Sequence, residues 1–528
     1  MPRRIAVCDA ETDPFRRARV PAPFIWGFYD GSQYQTFTET EKFVDFLAGE
    51  DCLVYAHNGG RFDWHFLLPY IEPYEEISLI NGRIARFKIG AAECRDSYNL
   101  LPVPLAAYKK DDIDYSIFEA GERAKPANMA KIKAYLQSDC VYLWELINEF
   151  VTRYGLQITQ ASASMKQWGK ISGQPIPRTN ANFYRDWSAY YYGGRVQCFE
   201  SGIIKRPFIV GDINSAYPRA MLEKHPYSEN ASIQPGYKAK ADFYRVRAES
   251  TGAFPYRGDG GGLTFPADGE LREFTVTGWE VQAAKDTGTL KRAKFIESAT
   301  FINHVDFSIY VNHFYEERLR CKAANDDAGS LFAKLFMNSL YGKFAANPEH
   351  YRDYMVVPMD VICGLGMEGT EVSQWNFAGE FGPWGLADKP ISGERARYYN
   401  VATGASITGY VRAMLWRAIC GAEGVLYCDT DSVAATSLDV EWGTALGQWK
   451  HEGEFDKAGI GGKKLYIFQG VKTPEGRQFK RASKGVRLTD PELWKVARGG
   501  EVEYNSETPT FSAKREISFV QRLVRKTA

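Results

Sequence analysis

Short apolar runs and one long helical pattern predict that the chain begins with an α/β unit. Residues 3–9, 24–29 and 52–56 are apolar runs with the length and the polar ends of β-strands. Residues 131–151 instead repeat apolar side chains at helical spacing. Strands followed by such a helix predict an α/β unit that ends near residue 155.

The rest of the chain has a more mixed pattern. Two further strands and three helices are predicted, at 203–212 and 425–428 and at 307–324, 328–345 and 404–420. The turn-rich stretch 172–177 predicts a linker between the two halves. Residues 347–395, which contain Gly, Pro and Trp but little periodicity, predict a loop-rich insertion.

Acidic side chains stand at the ends of the predicted elements of the first unit. Asp9 and Glu11 are two positions apart, so a strand directs both to one face. Such a pair fits either a strand end with solvated acids or a cation site, because carboxylates suit Mg²⁺ or Mn²⁺. Asp63 follows the third strand, and Tyr135 and Asp139 share one face of the helix. Four carboxylates could hold two metal ions for phosphodiester hydrolysis.

A second set of acids ends the strands of the later half. Asp212 ends the strand 203–212, and Asp429 and Asp431 stand two positions apart at the end of the strand 425–428. A lone Asp-Thr-Asp is typical of a polar turn. With Asp212 on a neighbouring strand, the three acids instead predict a second two-metal site.

The helix between these acids carries polar residues on one face. Lys334, Asn338 and Tyr341 follow at i, i+4 and i+7. A cation there could hold a triphosphate, and a ring could pack on a base or sugar. An amphipathic helix with incidental polar residues is the alternative.

The neutral overall composition argues against a nucleic-acid partner, although the uneven distribution of charge along the chain removes this argument. The 528 residues carry 65 Lys+Arg and 65 Asp+Glu, a net charge of zero, whereas nucleic-acid footprints usually show a basic excess. Nine scattered cysteines without CxxC spacing, no secretory signal and no run of 18 apolar residues predict a soluble intracellular protein.

The first unit resembles a DnaQ-like 3′–5′ exonuclease, since DxE at Asp9, N(x)nFD at Asn58 and YxxxD at Tyr135 stand in the order of that signature. The resemblance implies that Tyr135 orients the attacking water and that Lys110 is catalytic, although Lys110 also fits an exposed lysine in a charged run. It further implies a set of residues that hold the frayed single strand, namely Thr12, His57, Asn58, Phe62 and Ser97.

The later half resembles the family B DNA polymerases. Residues 212–218, 334–342 and 427–432 match motifs A, B and C of that family, and 464–466 match its KxY primer-strand motif. The protein-primed branch has a YxGG motif between its exonuclease and polymerase domains, which residues Tyr191, Gly193 and Gly194 match, and the match implies that these residues bind DNA. The segments 11–15, 55–60 and 462–466 make the chain most similar to the tectivirus (bacteriophage) type.

The resemblance implies a multidomain α/β and α+β fold, in which a DnaQ/RNase H-like 3′–5′ exonuclease domain precedes a right-hand palm, fingers and thumb with two insertions. The 122 positions from Asp212 to Lys334 and the 91 from Asn338 to Asp429 leave room for insertions, although each also fits a decorated surface loop. The implied domains are the exonuclease domain (1–165), the first palm segment (166–222), a TPR1-like insertion (223–306), fingers (307–346), a TPR2-like insertion (347–395), the second palm segment (396–480) and thumb (481–528).

Roles at the polymerase site follow from the same resemblance. Asp212, Asp431 and the carbonyl of Ile213 are implied to hold two Mg²⁺ or Mn²⁺ ions, with Asp429 alongside, and the exonuclease site is implied to hold two more. The incoming nucleotide is implied to contact Tyr217, which would select deoxyribose, together with Ile213, Lys322, Lys334, Asn338 and Tyr341. Lys464 and Tyr466 are implied to grip the primer strand.

The zero net charge hides a basic segment. Residues 461–528 hold 15 Lys+Arg against 7 Asp+Glu. The segment, expected to follow the duplex backbone, includes Lys463, Lys464, Lys480, Arg481, Lys484 and Arg487. The acids that cancel this excess include the two predicted metal cages.

The implied function is a DNA-templated DNA polymerase with 3′–5′ proofreading that replicates a linear viral genome by protein priming. Its expected partners are template-primer DNA, dNTPs and a separate terminal protein, with no membrane. It is expected to be a monomer in the cytoplasm of a bacterial host. The alternatives are a polymerase that uses ordinary primers or none, a catalytically inactive DNA-binding relative and a standalone nuclease. Intact carboxylates argue against the inactive relative, and the complete A, B and C set argues against the nuclease.

Overall fold

The computed structural model describes residues 3–258, 260–364, 372–473, 476–513 and 515–527. Its first unit is a twisted sheet with helices against it. The strands are β1 (Arg4–Thr12), β2 (Pro23–Tyr29), β3 (Tyr34–Phe37), β4 (Cys52–Ala56), β5 (Glu76–Ile80), β6 (Arg83–Ile89) and β7 (Ala92–Asp96), and the helices are α1 (Thr40–Ala48), α2 (Ala120–Arg123) and α3 (Pro126–Tyr154). The central strands β1, β4 and β7 are parallel neighbours. The predicted α/β unit is confirmed, and its long helix extends beyond the predicted 131–151.

Helix α3 lies close against β1 and β2 because Gly27 has no side chain. A Cβ atom at Gly27 would stand 2.9 Å from Leu136 Cγ and 3.1 Å from Cys140 Sγ. Leu136 and Cys140 are both fully buried. This close approach sets the distance between the acids of β1 and those of α3.

Two helices, α4 (Gln160–Ser172) and α5 (Ala181–Ser188), connect the halves, and residues 173–178 between them have no regular helix or strand, as predicted for 172–177. The next elements are β8 (Val196–Cys198), β9 (Gly202–Ile204), β10 (Phe208–Ile213) and α6 (Ala216–Ala220). The single strand predicted at 203–212 is wrong, because the chain breaks it into β9 and β10. Pro207 lacks an N–H and restricts Arg206 before it, which disfavours an unbroken ladder.

The mixed stretch after α6 forms a small antiparallel sheet in the order β12-β17-β13-β16. Its elements are β11 (His225–Pro226), β12 (Ala231–Pro235), β13 (Phe243–Glu249), β14 (Tyr256–Arg257), β15 (Leu263–Thr264), β16 (Leu271–Thr277), α7 (Gly278–Asp286), β17 (Lys294–Phe301) and β18 (His304–Val305). The predicted helical pair follows as α8 (Ser308–Ala323) and α9 (Asp327–Phe344). Phe314 and Phe336 stack at 4.6 Å between them.

The stretch predicted to be loop-rich contains three strands, so that prediction is wrong for its described residues; 365–371 lie outside them. The strands are β19 (Arg352–Val357), β20 (Asn376–Phe381) and β21 (Trp384–Pro390), and β19 pairs with β5. They extend the first sheet to ten strands. On β19, Tyr354 and Val356 join one apolar cluster and Met355 and Val357 another, so both faces are buried and no alternation shows in the sequence.

The C-terminal quarter of the chain builds most of the second large sheet. Its elements are α10 (Val401–Gly421), β22 (Glu423–Asp429), β23 (Ser432–Ser437), β24 (Trp449–Gly462), β25 (Leu465–Thr473), β26 (Gly476–Ser483), α11 (Asp490–Ala497), β27 (Val502–Ser512) and β28 (Arg515–Val524). The order is β26-β25-β24-β10-β23-β22-β8, with β9 also on β24. Among the described residues, no helix is long and apolar enough to span a membrane.

Candidate active sites

Four acids converge where β1 ends against α3. Asp9 and Glu11 come from β1, Asp63 begins the short 3-10 turn Asp63–Phe66 after β4, and Asp139 comes from α3. Burial, followed by the charges of Asp63 and Glu11, raises the pKa of Asp9 well above its ordinary value. Burial and the charge of Asp139 raise the pKa of Glu11 to about 8, and burial raises the pKa of Asp63 to about 7. The acids therefore oppose one another's ionisation.

This acidic cluster fits a divalent cation by its chemistry. Among the described atoms, Asp63 Oδ1 and Asp139 Oδ1 are buried without a hydrogen-bond partner. Buried anionic oxygens are costly without a positive charge, and hard carboxylates suit Mg²⁺ or Mn²⁺. Within the described residues, no group of three or more His, Cys, Asp or Glu side chains is placed to hold an ion as it stands. The fit therefore rests on burial and donor type.

Lys110 and Tyr135 lie beside the four acids. Lys110 Nζ is 3.8 Å from Asp139 Oδ2 and 5.5 Å from the centre of the Tyr135 ring. The charge of Lys110 partly offsets the rise that burial causes in the pKa of Asp139. Tyr135 Oη lies 3.2 Å from Tyr115 Oη, so its hydroxyl is held at the edge of the cluster.

A cavity of about 750 Å³ opens in front of the acids. His57, Asn58 and Phe62 line it, and Asn58 has a left-handed backbone with φ +64°. Its Oδ1 accepts a 2.7 Å hydrogen bond from Arg83 Nη1, and Arg83 also contacts Asp96 Oδ2 at 2.7 Å. The predicted strand-binding residues His57, Asn58 and Phe62 are thus brought together.

The other two predicted strand-binding residues have different surroundings. Ser97 is fully buried, and its Oγ lies 3.0 Å from His57 Nδ1. His57 Nε2 lies 2.9 Å from the carbonyl of Val103, and burial lowers the pKa of His57 to about 4. Ser97 therefore orients His57 from behind. Thr12, half-buried at the end of β1, donates its hydroxyl to the carbonyl of Asp13 at 3.1 Å.

The second acidic site lies at the centre of the second sheet. Asp212, one residue before the end of β10, pairs with Ser432 on β23, while Asp429 and Ser432 flank the tight turn formed by Thr430 and Asp431. The Ile213 amide donates to the carbonyl of Asp431 at 2.8 Å, which fixes the turn beside β10. Burial and then the charge of Asp212 raise the pKa of Asp431 to about 7. Asp212 and Asp431 thus form a mutually repelling pair that fits cations.

The third acid of this site is already paired. Lys464 Nζ lies 2.6 and 2.7 Å from the two carboxylate oxygens of Asp429. Lys464 has φ +56°, and its amide donates to Tyr427 Oη at 2.9 Å. The rings of Tyr427 and Tyr466 pack at 5.0 Å. Of the predicted primer-strand residues, Lys464 is therefore bonded to Asp429, and Tyr466 packs nearby on Tyr427.

Helix α9 presents the predicted nucleotide-binding face. Lys334 and Asn338 are exposed, and Asn338 Nδ2 donates to the Lys334 carbonyl at 2.8 Å. Tyr341 stacks on Tyr217 at 4.1 Å with 6° between the ring planes. Lys322 is exposed on α8, and neither Lys322 nor Lys334 forms an ion pair with any described side chain. Two cations are thus free on this helical pair.

The segment Tyr191–Gly194 lies against the acidic turn. A Cβ atom at Gly194 would stand 2.8 Å from Thr430 Cγ2, so only glycine allows this approach. The next residue, Arg195, accepts a 2.6 Å hydrogen bond from the Thr430 amide on its carbonyl. The Tyr191 carbonyl accepts from Arg257 Nη2 at 2.6 Å, and the Gly193 carbonyl accepts from Arg412 Nη1 at 3.0 Å. The segment therefore supports the turn between Asp429 and Asp431.

Several residues that lie beside these sites were not predicted from the sequence. Burial raises the pKa of Asp212 most, and the charge of Glu452 raises it further because β24 lies beside β10. Arg412 forms a 2.7 Å ion pair with Glu280, and both side chains are only 2% exposed. These neighbours arise from pairing between distant segments, which no local pattern reveals.

Comparisons with known proteins agree with this architecture. Residues 103–374 match the family described as DNA polymerase type B, organellar and viral. The DNA-directed DNA polymerase of Enterobacteria phage PRD1 is 34% identical over 570 aligned positions that cover 100% of both chains. The DNA polymerase of Bacillus phage phi29 is 24% identical and covers 88% of this chain and 87% of its own.

A solved structure shows the same fold. Phi29 DNA polymerase complexed with primer-template DNA superposes over 100% of both chains with a TM-score of 0.73 at 19% identity. The predicted fold class, an exonuclease domain followed by palm, fingers and thumb, is confirmed, as is the resemblance on which it rests.

Proposed function

The chain belongs to the organellar and viral type B DNA polymerases and is a DNA-directed DNA polymerase of phage type, and from this premise we propose that it extends primers with proofreading and starts on a terminal protein. The observation that carries the polymerase site is the repelling pair Asp212 and Asp431 at the end of β10. Phi29 DNA polymerase has been solved with primer-template DNA and incoming nucleotides, which supports the same two ligands for this chain.

At the polymerase site, Asp212, Asp431 and the Ile213 carbonyl would hold two Mg²⁺ or Mn²⁺ ions. Bound divalent cations supply activation of the attacking oxygen and neutralisation of phosphate charge, at this site and at the exonuclease site. Lys322 and Lys334 offer free ammonium groups to the triphosphate. Tyr217, whose ring stacks on Tyr341, would collide with the 2′-hydroxyl of a ribonucleotide and so select deoxynucleotides.

The pairing of Asp429 with Lys464 gives this acid a different task from Asp212 and Asp431. Asp429 neutralises and orients the Lys464 ammonium, whose remaining donor would bind the primer backbone. Tyr466, packed on Tyr427, supports the same strand. Asp429 is thus a positioning residue for primer binding as well as a neighbour of the metal pair.

The exonuclease proposal rests on the four buried acids around the cavity of about 750 Å³. Asp9, Glu11, Asp63 and Asp139 would hold two ions, and the Tyr135 hydroxyl would orient the attacking water. Lys110 lies near enough to Asp139 to stabilise charge on the phosphate. His57, Asn58 and Phe62 would hold the frayed 3′ end in the cavity.

One set of variants tests both sites. Asp431→Asn should abolish primer extension with Mg²⁺ and dNTPs while degradation of single-stranded DNA continues, and Asp9→Ala should do the reverse. Extension by Asp431→Asn at the wild-type rate would show that the polymerase site is wrongly placed, and full degradation by Asp9→Ala would do so for the exonuclease site.

Protein priming is tested separately. With a linear template and no oligonucleotide primer, the chain should form a covalent protein–dNMP product only when its terminal protein is added. Equal synthesis without that protein would favour the alternative of a family B polymerase that needs no primer.

A further inference from the structure

The C-terminal region of the chain forms one wall of the exonuclease cavity. Thr508, Thr510 and Phe511 of β27 line the cavity together with Asp9 and Glu11. Phe511 is only 3% exposed and packs its ring 5.5 Å from that of Phe62. The Ala513 amide also donates to the carbonyl of Gly82 at 3.3 Å. The polymerase half is therefore docked on the exonuclease domain at the cavity itself.

Arg487, on the loop between β26 and α11, belongs to the same wall. The loop is fixed by a turn in which the Val486 amide donates to the Ser483 carbonyl at 3.2 Å and Ser483 Oγ donates to the Val486 carbonyl at 3.0 Å. The Lys484 amide donates to the Lys464 carbonyl at 3.0 Å. One short loop thus connects the primer-strand lysine of the polymerase site with the exonuclease cavity.

The charge of Arg487 has no partner among the residues that the structure describes. Arg487 is exposed and makes no ion pair or side-chain hydrogen bond within the described residues of the chain. Two other cations of the cavity are engaged by acids or an amide: Arg83 contacts Asn58 and Asp96, and Lys110 lies beside Asp139. The exposed Arg61 donates to the carbonyl of Asn81 at 3.3 Å. A free guanidinium in a cavity walled by acids suits a ligand that brings its own phosphates.

We propose that Arg487 binds a phosphodiester of the single-stranded 3′ end inside the exonuclease cavity. The inference deepens the proposed proofreading function and rests on it. Arg487 would grip the strand opposite the four acids, and it would do so from the loop that is bonded to Lys464. The sequence had placed Arg487 with the residues that follow duplex DNA, whereas its position at the cavity assigns it to the strand being degraded.

The test compares Arg487→Ala, Arg487→Lys and Arg498→Ala in degradation of a single-stranded oligonucleotide. Arg498 follows α11, is also exposed and forms no ion pair with the described residues, so its variant removes the same charge away from the cavity. Arg487→Ala should raise KM for the oligonucleotide about five- to tenfold, the effect of one partly exposed phosphate contact, and change kcat by less than about twofold. Arg487→Lys should recover some of the affinity, and Arg498→Ala should match wild type.

Uncharged linkages then locate the contact. Each of the last four linkages at the 3′ end is replaced in turn by a methylphosphonate, and wild-type binding of the oligonucleotide should weaken at a single position. The replacement at that position should have no further effect on binding by Arg487→Ala. Equal KM values for Arg487→Ala and Arg498→Ala, or a loss seen only in extension of primed duplex, would overturn the inference. Asp9→Ala distinguishes failure of this inference from failure of the proposed exonuclease site. If Asp9→Ala degrades DNA normally, the assignment of the exonuclease site is wrong. If Asp9→Ala loses degradation and Arg487→Ala does not, the exonuclease site is supported and only the role of Arg487 is wrong.

Discussion

The pair formed by Asp429 and Lys464 separates the three acids of the polymerase site into two kinds. Asp429 is bound by a lysine at 2.6 Å, whereas Asp212 and Asp431 repel each other across the edge of β10. Lys464, bonded to Asp429, reduces the negative charge beside Asp212 and Asp431 and leaves those two acids available to cations. The charge balance of the site therefore depends on Lys464 as much as on the acids.

We expect Lys464→Met to slow extension of a primed template about tenfold, because Asp429 is left without a counter-charge and the primer loses a cation. A half-exposed charge pair of this kind contributes about 1–2 kcal/mol. Steady-state kinetics with single-stranded degradation measured in parallel provide the check. Lys205→Met serves as the control, since Lys205 is exposed and its side chain forms no ion pair or hydrogen bond with the described residues. An equal loss in both variants would contradict the role of the pair.

Buried His225 makes stability depend on pH. Its Nδ1 lies 2.9 Å from Ser406 Oγ and its Nε2 2.8 Å from the Ala220 carbonyl, and burial lowers its pKa to about 4. In the unfolded chain His225 is protonated below about pH 6.5, whereas in the folded chain it stays neutral down to about pH 4. The free energy of unfolding therefore falls by about 3 kcal/mol as the pH drops from about 6.5 to 4. Denaturant unfolding of His225→Asn should show a shallower pH slope. An unchanged slope would show that His225 is not the group responsible.

At the scale of elements, the exonuclease site depends on how closely α3 approaches the sheet. Asp139 and Tyr135 reach the acids of β1 because Gly27 leaves no side chain between β2 and the helix. Gly27→Ala should push α3 outward, destabilise the fold by about 1–3 kcal/mol and reduce degradation of single-stranded DNA more than tenfold while primer extension continues. Gly121→Ala is the matched control, because a Cβ atom there meets open space. Parallel assays of degradation and extension would settle it, and equal activities of the two variants would contradict the expectation.

The elements that the sequence predicted are compact apolar runs and segments with helical spacing. Helix α9 and strand β4 follow their predicted bounds closely, because α9 repeats apolar residues at helical spacing and β4 is a short run of apolar residues that are all buried. Strand β19 was missed because its apolar residues, buried on both faces, show no alternation and lie in a stretch that contains Gly, Pro and Trp. The acids of both sites were predicted because each follows a strand or shares a helical face. Glu452 and Arg487 were not placed at their sites, since only the pairing of β24 with β10 and the docking of the C-terminal loop bring them there.

At the scale of the molecule, the strands β19–β21 join the exonuclease sheet to the polymerase half. The Tyr74 amide donates to the Val356 carbonyl at 2.8 Å, and the Val356 amide donates to the Glu75 carbonyl at 3.1 Å. Val356 is fully buried. Residues far apart in the chain therefore share one hydrogen-bonded ladder and one core.

Because of this shared ladder, Val356→Ala should speed hydrogen exchange in β5 as well as in β19. Loss of two methyl groups from a packed site costs about 2 kcal/mol. Exchange followed by mass spectrometry on peptides from 74–80 and 352–357 measures it, with Phe377→Ala on β20, where the ring is 50% exposed, as control. Faster exchange in β19 alone would show that the two strands open independently.

The ten-stranded sheet has a consequence for synthesis on the ribosome. Strand β5 is complete at Ile80, but its neighbour β19 begins at Arg352, so roughly 270 residues must be translated before that edge is covered. At about 5–20 residues per second, the edge of β5 stays open for roughly 15–60 s. An open strand edge is a template for pairing with other chains. Nascent chains on one messenger RNA are thus most prone to aggregate with one another during this interval. Slower translation at low temperature would lengthen the interval.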